Sequence, residues 1–248
     1  MDSSEYRSYR ESHCGQGKGE QYDSYYLHDP WQNFMWRGEQ ECIEELWGEH
    51  FTDRSISLLD FACGTGRISA FLEDRVSRSV GVDISDSMLS EARRKLERTE
   101  LLKFDLTRED PLNGEKFDLV TAFRFFTNAE DDLRVSVAKL LAEHLEEGGY
   151  LLFNNHHVPG SPYYLASRFI QRVRSTPPDP RIRLMSSDEM YELVDRAGLR
   201  VVDRRHVGFL HLPRVDFPES VVRATESVVT RFDRTARRCE SVMLLCAR

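Results

Sequence analysis

The chain has 248 residues, 40% hydrophobic and 31% charged, a soluble globular balance that excludes a disordered or fibrous polymer. No apolar run approaches the ~20 residues of a membrane helix, and the polar N-terminal segment lacks a signal-peptide core; the expectation is a cytoplasmic protein with no membrane partner. The net charge of -8 divides into -7 over residues 1–50, -6 over 51–160 and +5 over 161–248, which disfavours generic nucleic-acid binding and leaves room for a local anionic ligand near the end.

Residues 1–24 are rich in Ser, Glu, Tyr and Gly and read as a mobile arm. Asp29-Pro30 then pairs an N-cap acid with a proline suited to the first helical position. Trp31, Phe34, Met35, Cys42, Ile43, Leu46 and Trp47 carry a helical apolar stripe to about residue 48, with Gly38 as its weak point. From residue 56 strands and helices alternate. Strands are expected at 56–61, 79–83, 101–104, 117–122, 150–154, 201–207 and 242–246. Helices are expected at 66–73 and 86–98, then from a cap at Asn128 to a stop near Gly148-Gly149. Ser186-x-x-Glu189 is a capping box opening a helix that ends at Gly198, and 218–236 reads as one amphipathic helix. This alternation predicts βαβ units and a mainly parallel sheet covered on both faces, with ligands held beyond the carboxyl ends of the strands. The five cysteines form no C-x-x-C pair, so neither a zinc knuckle nor a thioredoxin-type site is expected.

The strongest motif is Leu58-Leu59-Asp60-Phe61-Ala62-Cys63-Gly64-Thr65-Gly66-Arg67, a strand running through glycines into a helix. Such a turn brings main-chain N–H groups close to a ligand. Strand two ends in Val80-Gly81-Val82-Asp83, placing an acid where ribose hydroxyls are bound in nucleotide folds. A third acid, Asp105, ends strand three. Each acid alone is equally readable as a solvated loop residue or helix cap; three at successive strand ends point to a ligand.

Over residues 50–155 the sequence resembles the class I S-adenosylmethionine-dependent methyltransferases. The resemblance rests on Asp60-x-Ala62-x-Gly64-x-Gly66, Asp83, Asp105, Phe117-Asp118-Leu119-Val120 and Leu145-Glu146-Glu147-Gly148-Gly149-Tyr150-Leu151. It implies a Rossmann-like three-layer α/β sandwich whose seven-stranded sheet is mainly parallel, with the last strand antiparallel. It implies S-adenosylmethionine as cofactor, with Asp60 and the loop Ala62, Cys63, Gly64, Gly66 and Arg67 facing its methionine and ribose. Asp83 would hold the ribose, Ile84 and Met88 would border the adenine, and Asp105 and Leu106 would meet the adenine edge. The family usually carries glycine where Ala62 stands; alanine is costly at positive φ, so Ala62 is expected at negative φ. Residues 1–49 form the arm and lid helix, and 50–248 the methyltransferase domain with a helical insertion near 156–185.

The acceptor side is expected after strands four and five. Phe123 and Arg124 would line the pocket there, with Phe125 and Phe126 in the core. Asn154-Asn155-His156-His157 offers a general base, because neutral imidazole suits proton removal near pH 7; successive side chains diverge, so one of the two histidines should face the site. From the lid, Tyr26 would approach the cofactor and Arg37 would pair with its carboxylate; a solvated Arg37 is the other reading. Arg168, Arg172, Arg174, Arg181 and Arg183 are either a solvated face or a site recruiting an anionic substrate. The motif for methylating nucleic-acid amines is absent. The expected function is methylation of O or N on a small molecule, such as a sugar, glycan or secondary-metabolite intermediate. An RNA methyltransferase, or a non-catalytic cofactor-binding subunit, are the alternatives.

Overall fold

Short apolar strands alternating with helices bury their surface best when the strands lie side by side and the helices cover both faces. The computed structural model, which describes residues 17–51, 55–109, 111–175, 183–210, 212 and 217–248, has this arrangement. Two helices come first, α1 (Lys18–His28) and α2 (Pro30–His50). The alternating body follows: β1 (Ser57–Phe61), α3 (Arg67–Leu72), β2 (Arg78–Asp83), α4 (Asp86–Lys95), β3 (Thr99–Lys103), β4 (Phe117–Ala122), α5 (Asp131–Glu143) and β5 (Leu145–His156). Then come α6 (Pro162–Val173), α7 (Ser187–Arg196), β6 (Arg200–Val207), α8 (Glu219–Val229), the short α9 (Asp233–Ala236) and β7 (Ser241–Ala247).

The seven strands form one sheet in the order β3-β2-β1-β4-β5-β7-β6. Strands β1 to β5 pair in parallel, and β7 runs antiparallel to both β5 and β6. The order reverses between β1 and β4, so the carboxyl ends of those strands diverge there and leave a crevice. Alternate strand residues face opposite layers. Leu58, Leu119, Leu152 and Leu245 meet Ile43 and Leu46 of α2 and Ile68 and Leu72 of α3. Leu59, Val120, Leu151 and Leu244 meet Val137 and Leu141 of α5 and Met190, Leu193 and Val194 of α7.

The expected caps form at two helices. Asp29 accepts from the Gln32 N–H at 2.9 Å, and Ser186 and Glu189 close a reciprocal capping box. Other expectations need correction. Residues 18–24 are helical, docked through the Gly19 N–H on the Ser87 hydroxyl at 3.0 Å; residues 1–16 lie outside the described residues. Asn128 does not cap α5: Glu130 holds that position, and the Asn128 amide donates to the Arg124 carbonyl at 2.9 Å. Strand β5 begins early, at Leu145, and bulges around Gly148-Gly149 before Tyr150 pairs with Leu119. The single helix expected at 218–236 is broken into α8 and α9.

Gly38 has a packing reason rather than being a weak point. A Cβ there would lie 2.6 Å from Val207 Cγ1, so glycine lets α2 approach β6. Replacing Gly38 with Ala should lower the unfolding free energy by up to about 2 kcal/mol, because an overpacking cost of about 1–3 kcal/mol outweighs ~1 kcal/mol of better helix propensity. Urea unfolding of the two proteins measures this.

Candidate active site

Strand β1 delivers the chain into a left-handed turn. Ala62, Gly64 and Gly66 all have positive φ, at 52°, 58° and 77°. The expectation for Ala62 is therefore wrong: it adopts the backbone that glycine adopts cheaply and other residues do not. Gly66 caps α3 in the left-handed region, and a Cβ there would lie 2.7 Å from Leu96 Cδ1.

The Asp60 carboxylate borders the cleft but is spent on holding the turn. Its Oδ2 accepts from the Ser69 N–H at 3.2 Å and the Ser69 hydroxyl at 2.7 Å, and its Oδ1 from the Thr121 hydroxyl at 2.7 Å. Burial pushes its pKa up to about 6, with the three hydrogen bonds opposing that rise. Asp83 ties the turn from the other side, accepting from the Gly64 N–H at 2.9 Å and the Ser85 N–H at 2.8 Å. Burial raises its pKa as well. Each carboxylate oxygen has a second lone pair, so Asp83 can still accept from a ligand hydroxyl. Asp105 Oδ1 accepts from the Thr107 N–H at 3.2 Å and its hydroxyl at 2.5 Å.

One cleft gathers these groups at the switch point. Asp60, Ala62, Cys63, Gly64, Arg67, Asp83, Ile84, Met88, Asp105, Leu106, Phe123, Arg124 and His156 all line it, as the sequence leads one to expect. Gly66 lies behind the turn and is not in the lining. Cys63 is buried, and burial pushes its thiol well above the ordinary range, so it is a packed small residue. The Arg67 guanidinium lies 4.5 Å over the Trp36 ring.

On the acceptor side, Arg124 has φ 59°, and its N–H donates to Asn154 Oδ1 at 2.8 Å. Its guanidinium leans on Gln32 Oε1 at 3.4 Å and stands 4.0 Å from Glu39 Oε1. The two histidines take different partners because the chain steps into the left-handed region at His157, although their rings stay 4.7 Å apart. His156 turns into the cleft, and its Nδ1 has no hydrogen-bond partner among the described residues. Burial, reinforced by Arg124, His157 and Arg67, holds its pKa well below the usual histidine range. His157 does not line the cleft: at φ 58° it turns away, and its Nδ1 pairs with Glu240 Oε1 at 2.5 Å. Phe125 is both core and cleft wall, and Phe126 is core, stacked edge-on against Phe153 at 5.0 Å.

Two lid expectations fare differently. Arg37 pairs with Glu219 at 3.0 Å, half exposed and outside the cleft lining. The Tyr26 side chain lies outside the described residues; Tyr22, one helical turn earlier, lines the cleft. Sequence reading missed Gln32, Glu39 and Arg134. Gln32 and Glu39 share the buried face of α2 with Met35, Ile43 and Leu46, a spacing that was the available signal. Arg134 braces the segment after β4, donating to the carbonyls of Phe126 at 2.6 Å and Thr127 at 3.1 Å.

Comparison with known proteins fits this geometry. Residues 58–149 match the family model described as "Methyltransferase domain". That segment, from β1 to the bulge of β5, resembles a methyltransferase domain, and the whole seven-stranded sheet has the fold of solved S-adenosylmethionine-dependent methyltransferases. Among solved structures it is similar to the magnesium protoporphyrin IX methyltransferase of Synechocystis PCC 6803 with bound SAH, at TM-score 0.64 and 15% identity over 94% of this chain and 95% of that one. Among curated proteins it is similar to the dTDP-3-amino-3,4,6-trideoxy-alpha-D-glucopyranose N,N-dimethyltransferase of Streptomyces venezuelae. That match is 33% identical and covers 41% of this chain and 43% of the relative. A second is the dTDP-4-amino-2,3,4,6-tetradeoxy-D-glucose N,N-dimethyltransferase of Saccharopolyspora spinosa, 28% identical over 58% of this chain and 61% of that one. The chain thus spans about half the length of the curated relatives it matches.

The positive φ of Ala62 has a measurable cost. Ala62→Gly should raise the unfolding free energy by about 0.5–1 kcal/mol, the ~1–2 kcal/mol of relieved left-handed strain exceeding the extra chain entropy of glycine. Thermal melts without ligand give the sign.

Proposed function

We propose that the protein is an S-adenosylmethionine-dependent methyltransferase acting on an amine or hydroxyl of a small anionic molecule. The observation that carries this is the convergence of the Ala62–Gly66 turn, Asp83 and Asp105 on one cleft at the switch point. The donor set fits the cofactor. Asp83 has accepting capacity for ribose, Ile84, Met88, Phe104 and Leu106 give an apolar slot for a purine, and Asp105 borders that slot. Bound there, the cofactor supplies an electrophilic methyl on a cationic sulfur.

The residues of the chain align and deprotonate the acceptor. Arg124, Asn128 and His156 border the same cleft from β4 and β5. A depressed pKa keeps His156 neutral, so its lone pair stays available. A weak base suffices, because an oxygen or nitrogen that gains a methyl becomes a much stronger acid as the bond forms. Arg124 supplies the positive charge that favours an anionic acceptor. The amino-sugar nucleotides named for two relatives combine an amine with a diphosphate and are the first acceptors to test.

Titration calorimetry should show S-adenosylmethionine binding; no heat at millimolar concentration would overturn the proposal. Release of S-adenosylhomocysteine with a panel of anionic amines and alcohols identifies the acceptor. Against that acceptor, His156→Ala should cut kcat about 100-fold or more with cofactor affinity nearly unchanged, whereas His157→Ala should cost under about tenfold.

Affinity should also depend on pH. Asp60 has a raised pKa of about 6, so it is ionised above that pH and neutral below it. A cationic ligand favours the ionised form. S-adenosylmethionine affinity should therefore fall as pH drops through 6, and that of neutral S-adenosylhomocysteine should fall less; parallel titrations across that range compare the two.

A further inference from the structure

Helix α6 follows the carboxyl end of β5, and α8 follows that of β6, which points the same way because both pair antiparallel with β7. The two connections touch through Glu240, which accepts from the Ser161 hydroxyl at 3.1 Å and pairs with His157. Both therefore sit at the cleft edge of the sheet. Both also expose apolar side chains that the fold leaves uncovered. On α6, Leu165, Phe169 and Val173 are 57%, 68% and 69% exposed. Their spacing of four places them within an arc of about 80°. Arg168 and Arg172, both exposed, line one edge of that arc, Arg174 follows at the helix end, and α6 has no acidic residue. On the second connection Val221, Val228 and Phe232 are 45%, 53% and 63% exposed, with exposed Arg231 beside Phe232.

A solvated surface helix needs arginines but gains nothing from uncovered leucine, phenylalanine and valine in one line. An apolar stripe edged by arginines on an acid-free helix is instead the pattern that lies in a bilayer interface, with stems buried and guanidinium groups at the phosphates. We infer that α6, with the Val228–Phe232 end of the neighbouring connection, docks the protein on the surface of an anionic lipid bilayer, cleft edge toward the membrane. Among the described residues no helix is long and apolar enough to cross a membrane, and none is needed, since the helix rests on the surface. The charge argues for lipid over a second copy of the chain, because α6 faces itself with arginines in a symmetric contact. The inference is independent of which acceptor is methylated.

Co-sedimentation of the full chain with vesicles tests it. Binding is expected to vesicles of phosphatidylglycerol and phosphatidylcholine in equal parts, to be weaker by about tenfold or more on phosphatidylcholine alone, and to weaken with added salt. Leu165→Ser with Phe169→Ser, and separately Arg168→Glu with Arg172→Glu, should each reduce vesicle binding about tenfold or more, with circular dichroism and melting temperature unchanged. No binding to anionic vesicles, or binding that both variants retain, overturns the inference. So does light scattering in which the apolar variant turns a dimer into a monomer, which assigns the stripe to a second copy.

Discussion

The cleft depends on a carboxylate that the fold has buried. Asp60 lies 1% exposed at the end of β1, and its oxygens are met by the backbone and hydroxyl of Ser69 and the hydroxyl of Thr121. An unpaired charge there would cost several kcal/mol, so the carboxylate persists only because three donors converge on it. Those donors belong to α3 and β4. The same group therefore fixes the start of α3, the reach of the turn and the spacing of β1 from β4 at the switch point. Its raised pKa shows that burial still outweighs the hydrogen bonds.

Strain is concentrated at the same edge. Among the described residues five non-glycine positions have positive φ; Ala62, Arg124 and His157 follow β1, β4 and β5, and Asn113 and Ser175 lie elsewhere. Each such backbone costs on the order of 1–3 kcal/mol and survives where surrounding contacts over-determine it. Those contacts are visible: Asp83 on the Gly64 N–H beside Ala62, Asn154 on the Arg124 N–H, Glu240 on the His157 ring. The left-handed step after β5 also sends two adjacent histidines to different tasks. One faces the cleft, and the other ties β5 to the start of β7.

Helix α2 links this edge to the chain outside the matched domain. Glu39 is fully buried and accepts from the Asn154 amide at 2.8 Å and the Ser241 hydroxyl at 3.0 Å. Asn154 in turn holds the Arg124 N–H, so the helix expected to be a lid reaches Arg124 through that amide and also directly through Gln32. The glycine at residue 38, one step before Glu39, is what lets that helix come close enough.

The sequence by itself determined the sheet, the parallel crossovers and the cleft at the switch point. Period-two apolar strands, caps and the acids Asp83 and Asp105 are local signals, and local signals are written in consecutive residues. It could not assign Asp60 to a structural knot, place Ala62 at positive φ or separate His156 from His157, because each depends on partners tens of residues away. Gln32 and Glu39 stood on the apolar face of α2 as polar residues without meaning until the fold brought Arg124 to Gln32 and Asn154 and Ser241 to Glu39. Arg37 and Asn128 looked functional and capping from their neighbours in the chain, and Glu219 and the Arg124 carbonyl decided otherwise. A buried polar side chain takes its role from whichever donor or acceptor the fold brings within about 3 Å, and only tertiary structure sets that distance.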